Sequence, residues 1–256
     1  MFDSHAAIPS RVCLVVPCYN EAARLDTQAF HDYFAAHSNV RFLFVNDGST
    51  DNTSAVLREL CAGYADRAAV LDCNANAGKA EAVRKGILHA LTQYDLDAVG
   101  FWDADLATPL NAIPGFLDVL TRMPDIDMVF GSRVQLLGRH VKRSAARHYL
   151  GRVFATVAST TLRLAIYDTQ CGAKLFRATE ATKKVFRDPF LSRWVFDVEI
   201  LARYSKLCGH NSGRMETCIY ELPLEAWSDV AGSKVKPSDF FRAMLDLTRI
   251  KLRYLF

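Results

Sequence analysis

Ala98-Val99-Gly100-Phe101-Trp102-Asp103-Ala104-Asp105 is the stretch whose reading decides the fold. An apolar run without polar alternation, as in a strand buried on both faces, ends abruptly in two carboxylates on a turn. The same form recurs along the first half of the chain. Val12 to Val16 runs into Pro17-Cys18-Tyr19-Asn20-Glu21, and Val40 to Val45 into Asn46-Asp47-Gly48-Ser49-Thr50-Asp51. Met128 to Gly131 runs into Ser132-Arg133, and Ala68 to Asp72 supplies a further strand. Helical segments are expected between them, over Glu21 to Ala36, Thr53 to Ala62, Gly78 to Leu91 and Leu110 to Arg122. Strand and helix in alternation predict an α/β, Rossmann-like, mostly parallel sheet flanked by helices. Ligands of such sheets bind beyond the carboxyl ends of strands, which is where each of these motifs falls.

The second half changes character. Arg139 to Leu164 is basic and then apolar, and predicts one long helix or two. Asp168 to Arg177 reads as an irregular segment leading into a strand, Trp194 to Lys206 as a helix, and Thr217 to Pro223 as a strand. Ser238 to Phe256 reads as a C-terminal amphipathic helix. With 256 residues and half of them hydrophobic, the chain is expected to form a single domain with a full core.

Charge and cysteine content exclude several classes. A net charge of only +3 gives no case for nucleic acid as a partner. The seven cysteines are odd in number and include no CxxC pair, which speaks against a disulfide framework or a structural zinc site and for buried, reduced thiols in a cytoplasmic protein. The apolar run after Arg11 is too short for a signal peptide, and no stretch of about 18 uncharged apolar residues occurs. Any membrane contact is therefore expected to be peripheral.

The chemistry is expected at the strand ends. Asp103 and Asp105 offer hard oxygen ligands to Mg²⁺ or Mn²⁺, which bridges a diphosphate and neutralises charge on a departing nucleotide. A solvated acidic turn is the plainer alternative, disfavoured by its place after a buried strand. Asp47 can accept from a base or ribose, while Ser49 or Asp51 caps the next helix. Glu21 can bind a ribose hydroxyl or cap a helix, and Tyr19 can stack on a base. Gly78-Lys79 opens a helix, where amides and an ammonium can meet a phosphate, although the Walker A pattern is absent. Arg133 can present its fork to a diphosphate.

Basic residues gather from Arg139 to Arg152, with Arg143 and Arg147 four apart on one helix face. That face is either solvated or a landing site for anionic headgroups or an acceptor phosphate. In Trp194-Val195-Phe196-Asp197-Val198-Glu199, Asp197 is a candidate base or acceptor-orienting group. The plainer reading has one carboxylate capping the helix and the other exposed to solvent.

Taken together, these segments resemble the family-2 glycosyltransferases of the GT-A fold, and among them the dolichyl-phosphate (polyprenyl-phosphate) β-glucosyltransferases. The matching segments are VVPCYNEAARL (15–25), VNDGSTDNT (45–53), NAGKAEAVRKGI (76–87), DADLATP (103–109), GSR (131–133), DTQCGAKLFR (168–177), WVFDVEIL (194–201) and AGSKV (231–235). The resemblance implies a UDP-sugar donor, UDP-glucose foremost, inversion at the anomeric carbon, and a polyprenyl-phosphate acceptor reached from the cytoplasmic face of a membrane. It implies a nucleotide-sugar-binding half over about 10–135 and an acceptor-binding half over about 136–256. Pro17, Tyr19, Glu21 and Asp47 would hold uridine and ribose. Asp103, Ala104 and Asp105 would meet the sugar nucleotide and metal, with Asp105 the closer metal ligand. Arg133, Arg147 and Lys174 would face donor or acceptor phosphates. Relatives in this branch often carry a terminal hydrophobic segment, absent here, and some carry a polar metal-shell residue where Ala107 stands. Two alternatives stay open: the same donor with a glycan or soluble hydroxyl acceptor, and a nucleotide-sugar-binding protein without catalysis.

Overall fold

The computed structural model describes residues 11–142, 145–228 and 237–255; the side chains of 142, 145–150 and 237–241 are outside that description. The first half alternates as the sequence predicts. Strand β1 (Val12–Cys18) leads to helix α1 (Thr27–Ala36), β2 (Val40–Asn46) to α2 (Thr53–Ala62), and β3 (Ala68–Asp72) to α3 (Lys79–Gln93). Strand β4 (Ala98–Trp102) leads through a 3-10 turn (Leu110–Ala112) to α4 (Ile113–Arg122), and β5 (Met128–Ser132) follows. The second half contributes β6 (His140–Lys142), α5 (Ala145–Leu162), β7 (Ala173–Arg177), α6 (Glu180–Arg187), α7 (Phe196–Leu207), α8 (Ser212–Cys218), β8 (Ile219–Pro223), β9 (Ala226–Ser228) and α9 (Pro237–Tyr254).

Seven strands form one sheet in the order β3-β2-β1-β4-β7-β5-β8, and β6 and β9 form a small parallel pair. Only β7 runs against its neighbours, lying antiparallel between β4 and β5. Along β1, Val12, Leu14 and Val16 face one core layer, whereas Cys13 and Val15 face the other. Helices on both faces bury both sides of the sheet, which is why its strands read as apolar runs. Strand order reverses direction between β1 and β4, a switch point that leaves a crevice at their carboxyl ends.

Several sequence expectations are corrected. Helix α1 begins at Thr27, not at Glu21, because Asp26 accepts from the Ala29 amide at 3.0 Å and nucleates the helix there. The amides of Glu21 and Ala22 are taken instead by Thr53 Oγ1 (2.8 and 3.1 Å). Asp51 caps α2 as expected, its Oδ1 accepting from the Thr53 amide at 3.0 Å although Asn52 stands at the N-cap position, whereas Ser49 Oγ accepts from Asn20 N at 3.0 Å, tying the first two motif loops together. The basic stretch after Arg139 is not all helix. Its first residues pair with β9, and Val141 packs in the same core layer as Trp227.

The C-terminal helix packs on the domain. Ala243, Leu247 and Ile250 are buried against the α7 side of the core, and Tyr254 donates to Glu199 Oε1 at 3.0 Å. Its outward face leaves Leu245 and Leu252 exposed among Arg242, Arg249 and Arg253. All seven cysteines are free and mostly buried, and burial pushes Cys13 up to about 12, so that thiol stays neutral.

Candidate active site

The strand-end loops converge at the switch point. Beyond β1, Tyr19 is 45% exposed, an open aromatic face beside the crevice. Pro17 lies within β1 opposite Val45, so it shapes the backbone beneath the loop. Glu21 is half-buried and pairs with Arg24 at 2.5 Å. Burial raises its carboxyl, Arg24 opposes that, and the nearby Asp105 charge adds to the rise.

Asp47, at the end of β2, is 2% exposed and engaged by its own chain. Its oxygens accept from Asn76 Nδ2 (3.1 Å), Ala77 N (3.0 Å) and Gly78 N (2.7 Å). The carboxylate clamps the turn that opens α3. Gly48, at φ +64, makes this clamp possible, because a Cβ there would lie 2.5 Å from the Ala75 carbonyl carbon.

The clamped turn delivers Lys79, the first residue of α3, to Asp103. Lys79 Nζ lies 2.5 Å from Asp103 Oδ1. Asp103 is fixed from the other side as well: its amide donates to Gly172 O at 3.0 Å, and its carboxylate lies against Gly172, where a Cβ would meet Oδ2 at 1.9 Å. Ala104 is buried, which anchors the turn in the core. Asp105 is exposed to the crevice and accepts from the Ala107 amide at 3.1 Å. The cleft walls, and then the Asp103 charge, push its carboxyl up.

Three candidate residues are placed differently from expectation. Arg133 presents its fork to Asp168, through Nε (2.7 Å) and Nη2 (2.8 Å), rather than to a diphosphate. Thus the pair binds the end of β5 to the segment before β7. Lys174 is fully buried, in register with Phe101 of β4 and Phe130 of β5, and meets Asp197 Oδ1 at 2.6 Å. It is no surface cation for an acceptor phosphate. Asp197, 5% exposed, is correspondingly not an open base; burial raises its carboxyl, while Lys174 and then Lys79 oppose the rise. Nor does the plainer reading of that segment hold, since Glu199 is also buried, paired with Arg203 at 2.7 Å. Arg143 lies outside the described residues, as does the side chain of Arg147.

The structure therefore brings together Glu21, Lys79, Asp103 and Asp105, with Asp197 and Lys174 beneath them and Asp47 joined through the 76–78 turn. Sequence reasoning missed Gly172, Asp168 and Arg193, whose side chain packs over Gly78. Gly172 and Asp168 stood in a quoted motif, but nothing in spacing tied them to Asp103 or Arg133.

Asp103 and Asp105 fit a divalent cation. They are hard donors two residues apart, the Asp103 charge disfavours that of Asp105, and Asp103 Oδ1 is buried against the Lys79 ammonium, a cation already seated where a metal would be. Among the described residues no third His, Cys, Asp or Glu side chain joins them, so water or a ligand's oxygens would complete the shell.

The sequence profile of glycosyl transferase family 2 matches residues 13–180. The dolichyl-phosphate beta-glucosyltransferase ALG5C of Trichomonas vaginalis is 33% identical, over 96% of this chain and 73% of its own length. The human dolichyl-phosphate beta-glucosyltransferase is 31% identical, over 96% of this chain and 76% of its own. Among solved structures, glucosyl-3-phosphoglycerate synthase of Mycobacterium tuberculosis with Mn²⁺, UDP and glucosyl-3-phosphoglycerate aligns with a TM-score of 0.65 at 18% identity, over 94% of this chain and 80% of its own. Its complex with Mg²⁺ and UDP gives 0.64 at 18% identity, over 94% and 79%. That second likeness is one of fold.

Proposed function

This chain belongs to glycosyl transferase family 2 and has the GT-A fold, and from that premise we propose that it transfers glucose from UDP-glucose to a polyprenyl (dolichyl-type) phosphate, with inversion and with a divalent cation. The observation that carries the reading is the Asp103-Ala104-Asp105 turn at the sheet's switch point, with Asp103 bedded on Gly172 and Asp105 open to the crevice. The names of the sequence relatives support the sugar and the acceptor. The Mn²⁺ and Mg²⁺ complexes of the structural neighbours support the cation.

In the reaction, an oxygen of the lipid phosphate attacks the anomeric carbon from the face opposite UDP. The bond from that carbon to the diphosphate oxygen breaks as the new one forms, and UDP leaves with the electron pair. A single displacement inverts the centre. A divalent cation held by Asp105 and Asp103 would supply charge neutralisation for the diphosphate as it leaves. Tyr19 offers a stacking face for uracil, and Glu21 an acceptor for ribose hydroxyls.

The buried state of Asp197 bears on the acceptor. A hydroxyl acceptor needs a base to take its proton, and the sequence candidate for that role is closed off by Lys174. A phosphate acceptor, already ionised near neutral pH, needs none. The second half of the chain would then contact the acceptor, with Arg143 and Arg147 in its basic segment. Among the described residues no helix is long and apolar enough to cross a membrane, and the lipid acceptor is met at the membrane surface in this reading.

The test is a UDP-release screen of several sugar nucleotides, with Mg²⁺ or Mn²⁺, with and without short polyprenyl phosphates. The reading expects release from UDP-glucose that depends on both cation and polyprenyl phosphate. Release of equal size with glycan acceptors and none with the lipid phosphate sinks the acceptor; no UDP release under any condition sinks the catalysis.

A further inference from the structure

The pair between Lys79 and Asp103 has a consequence for how ligands enter. Each partner is held by an independent device. The backbone of Lys79 is set by Asp47, through the amides of Ala77 and Gly78. Asp103 is set by Gly172, through its own amide and the close approach of its Oδ2. An ion pair held at both ends, 2.5 Å long and only partly open to water, is unlike a surface pair of two free side chains. It also closes off the one oxygen of Asp103 that is left: Oδ2 lies on Gly172, and Oδ1 is buried beneath the ammonium.

We propose that Lys79 is a built-in counter-ion of Asp103, displaced when a divalent cation and the donor's diphosphate arrive together, so that the two bind with positive coupling. The inference rests on the glycosyltransferase reading above. A cation binding alone gains Asp105 readily, but must evict the ammonium to gain Asp103. The evicted ammonium is left near the incoming charge with no new anion. A nucleoside diphosphate binding alone leaves Lys79 on Asp103 and lacks the cation. When both arrive, the ammonium exchanges a carboxylate for a phosphate, and the cation takes the carboxylate. Its flexible four-carbon stem lets Lys79 make that exchange without moving α3. Each ligand thereby removes the cost the other faces, which is coupling between two sites in the thermodynamic sense.

The test titrates Mn²⁺ into nucleotide-free protein, following free Mn²⁺ by paramagnetic resonance, and titrates UDP by calorimetry with and without Mn²⁺. Wild type, Lys79→Met and Lys79→Gln are compared, with Lys85→Met as the control on the same helix. Thermal unfolding confirms that each variant is folded. In the wild type, Mn²⁺ is expected to raise UDP affinity by at least about tenfold. Both Lys79 variants should bind Mn²⁺ alone about tenfold more tightly than wild type, and the gain in UDP affinity on adding Mn²⁺ should fall toward one. Lys85→Met should behave as wild type. Lys79 variants that bind Mn²⁺ alone no more tightly than wild type overturn the counter-ion and leave the glycosyltransferase reading standing. Wild-type protein that binds neither UDP nor Mn²⁺ overturns that reading and the counter-ion with it.

Discussion

Lys174 Nζ and Asp197 Oδ1 stand 2.6 Å apart with the lysine fully buried and the aspartate nearly so, directly beneath the turn that carries Asp103. The ammonium also donates to Cys171 O at 2.5 Å and lies over the Phe101 and Phe130 rings, at 5.2 and 4.8 Å from their centroids. Cys171 precedes Gly172, the bed of Asp103, so this pair supports the site from below.

Lys174→Met strands a buried carboxylate and should lower stability by about 3–5 kcal/mol, as should Asp197→Leu, which strands the ammonium. Replacing both at once should recover a large part, because no buried charge is then left alone. Urea unfolding of the three variants measures this. A double variant no more stable than the singles contradicts a paired origin of the loss. If the pair also positions Cys171, the folded double variant should show lower kcat with UDP-glucose KM little changed.

Gly172→Ala tests the bed itself. The new Cβ would lie 1.9 Å from Asp103 Oδ2, so the carboxylate must move. Displacement of about an ångström at a reacting centre costs roughly a hundredfold in rate, whereas the overpacking should cost only about 1–3 kcal/mol in stability. The expected result is a folded protein with weak Mn²⁺ binding and little turnover. Near-normal turnover would show that the position of Asp103 is not set by this contact.

Much of this architecture was legible in the chain and some was not, for identifiable reasons. Strands β1, β2, β4 and β5 announced themselves because both faces are buried, and their carboxyl ends located the site. The start of α1 was misread because the amides of Glu21 and Ala22 are satisfied by Thr53, some thirty positions away. Lys174 and Arg133 were read as free cations because charge is visible in a sequence while register is not. Only the insertion of β7 between β4 and β5 buries Lys174 between two aromatic rings. Only folding brings Asp168 to Arg133. The short strands β6 and β9 gave no periodic signal, and β6 vanished into a basic run.

Asp168 gives a prediction on pH. Burial alone would push its carboxyl up, but the Arg133 charge and the hydrogen bonds from Arg133 reverse this and hold it at about 2, below its ordinary value of 3.8. A depressed acid stabilises the fold above its unfolded pKa and loses that contribution as pH falls through the folded one. The contribution, on the order of 2 kcal/mol, should therefore be complete above about pH 4 and fade toward pH 2. Asp168→Asn should be less stable at pH 7 and lose less stability on acidification. Parallel curves for variant and wild type contradict the assignment.

The basic segment after Arg139 gives a prediction on the membrane. Changing Arg143 and Arg147 together to Ala should weaken binding to vesicles containing anionic lipid, or raise the apparent KM for the lipid phosphate. Each basic residue near such a surface contributes about 1 kcal/mol. Vesicle sedimentation at low and physiological salt makes the measurement, and the difference should shrink as salt rises. Unchanged binding and unchanged KM show that these two charges do not engage a membrane or the lipid phosphate.

Asp105 decides the chemistry. It is exposed, and among the described residues it accepts one hydrogen bond, from the neighbouring Ala107 amide, so its loss should cost the fold no more than about 1 kcal/mol. Asp105→Ala should therefore melt close to wild type while losing Mn²⁺ binding and UDP release. Asp105→Asn is the sharper variant, since it keeps the shape and the acceptor oxygen but removes the charge. If charge toward a cation is the point, Asn should fail nearly as badly as Ala, and the deficit should ease at higher Mn²⁺ concentration. An Asn variant that turns over normally assigns Asp105 to shaping the turn and moves the cation elsewhere.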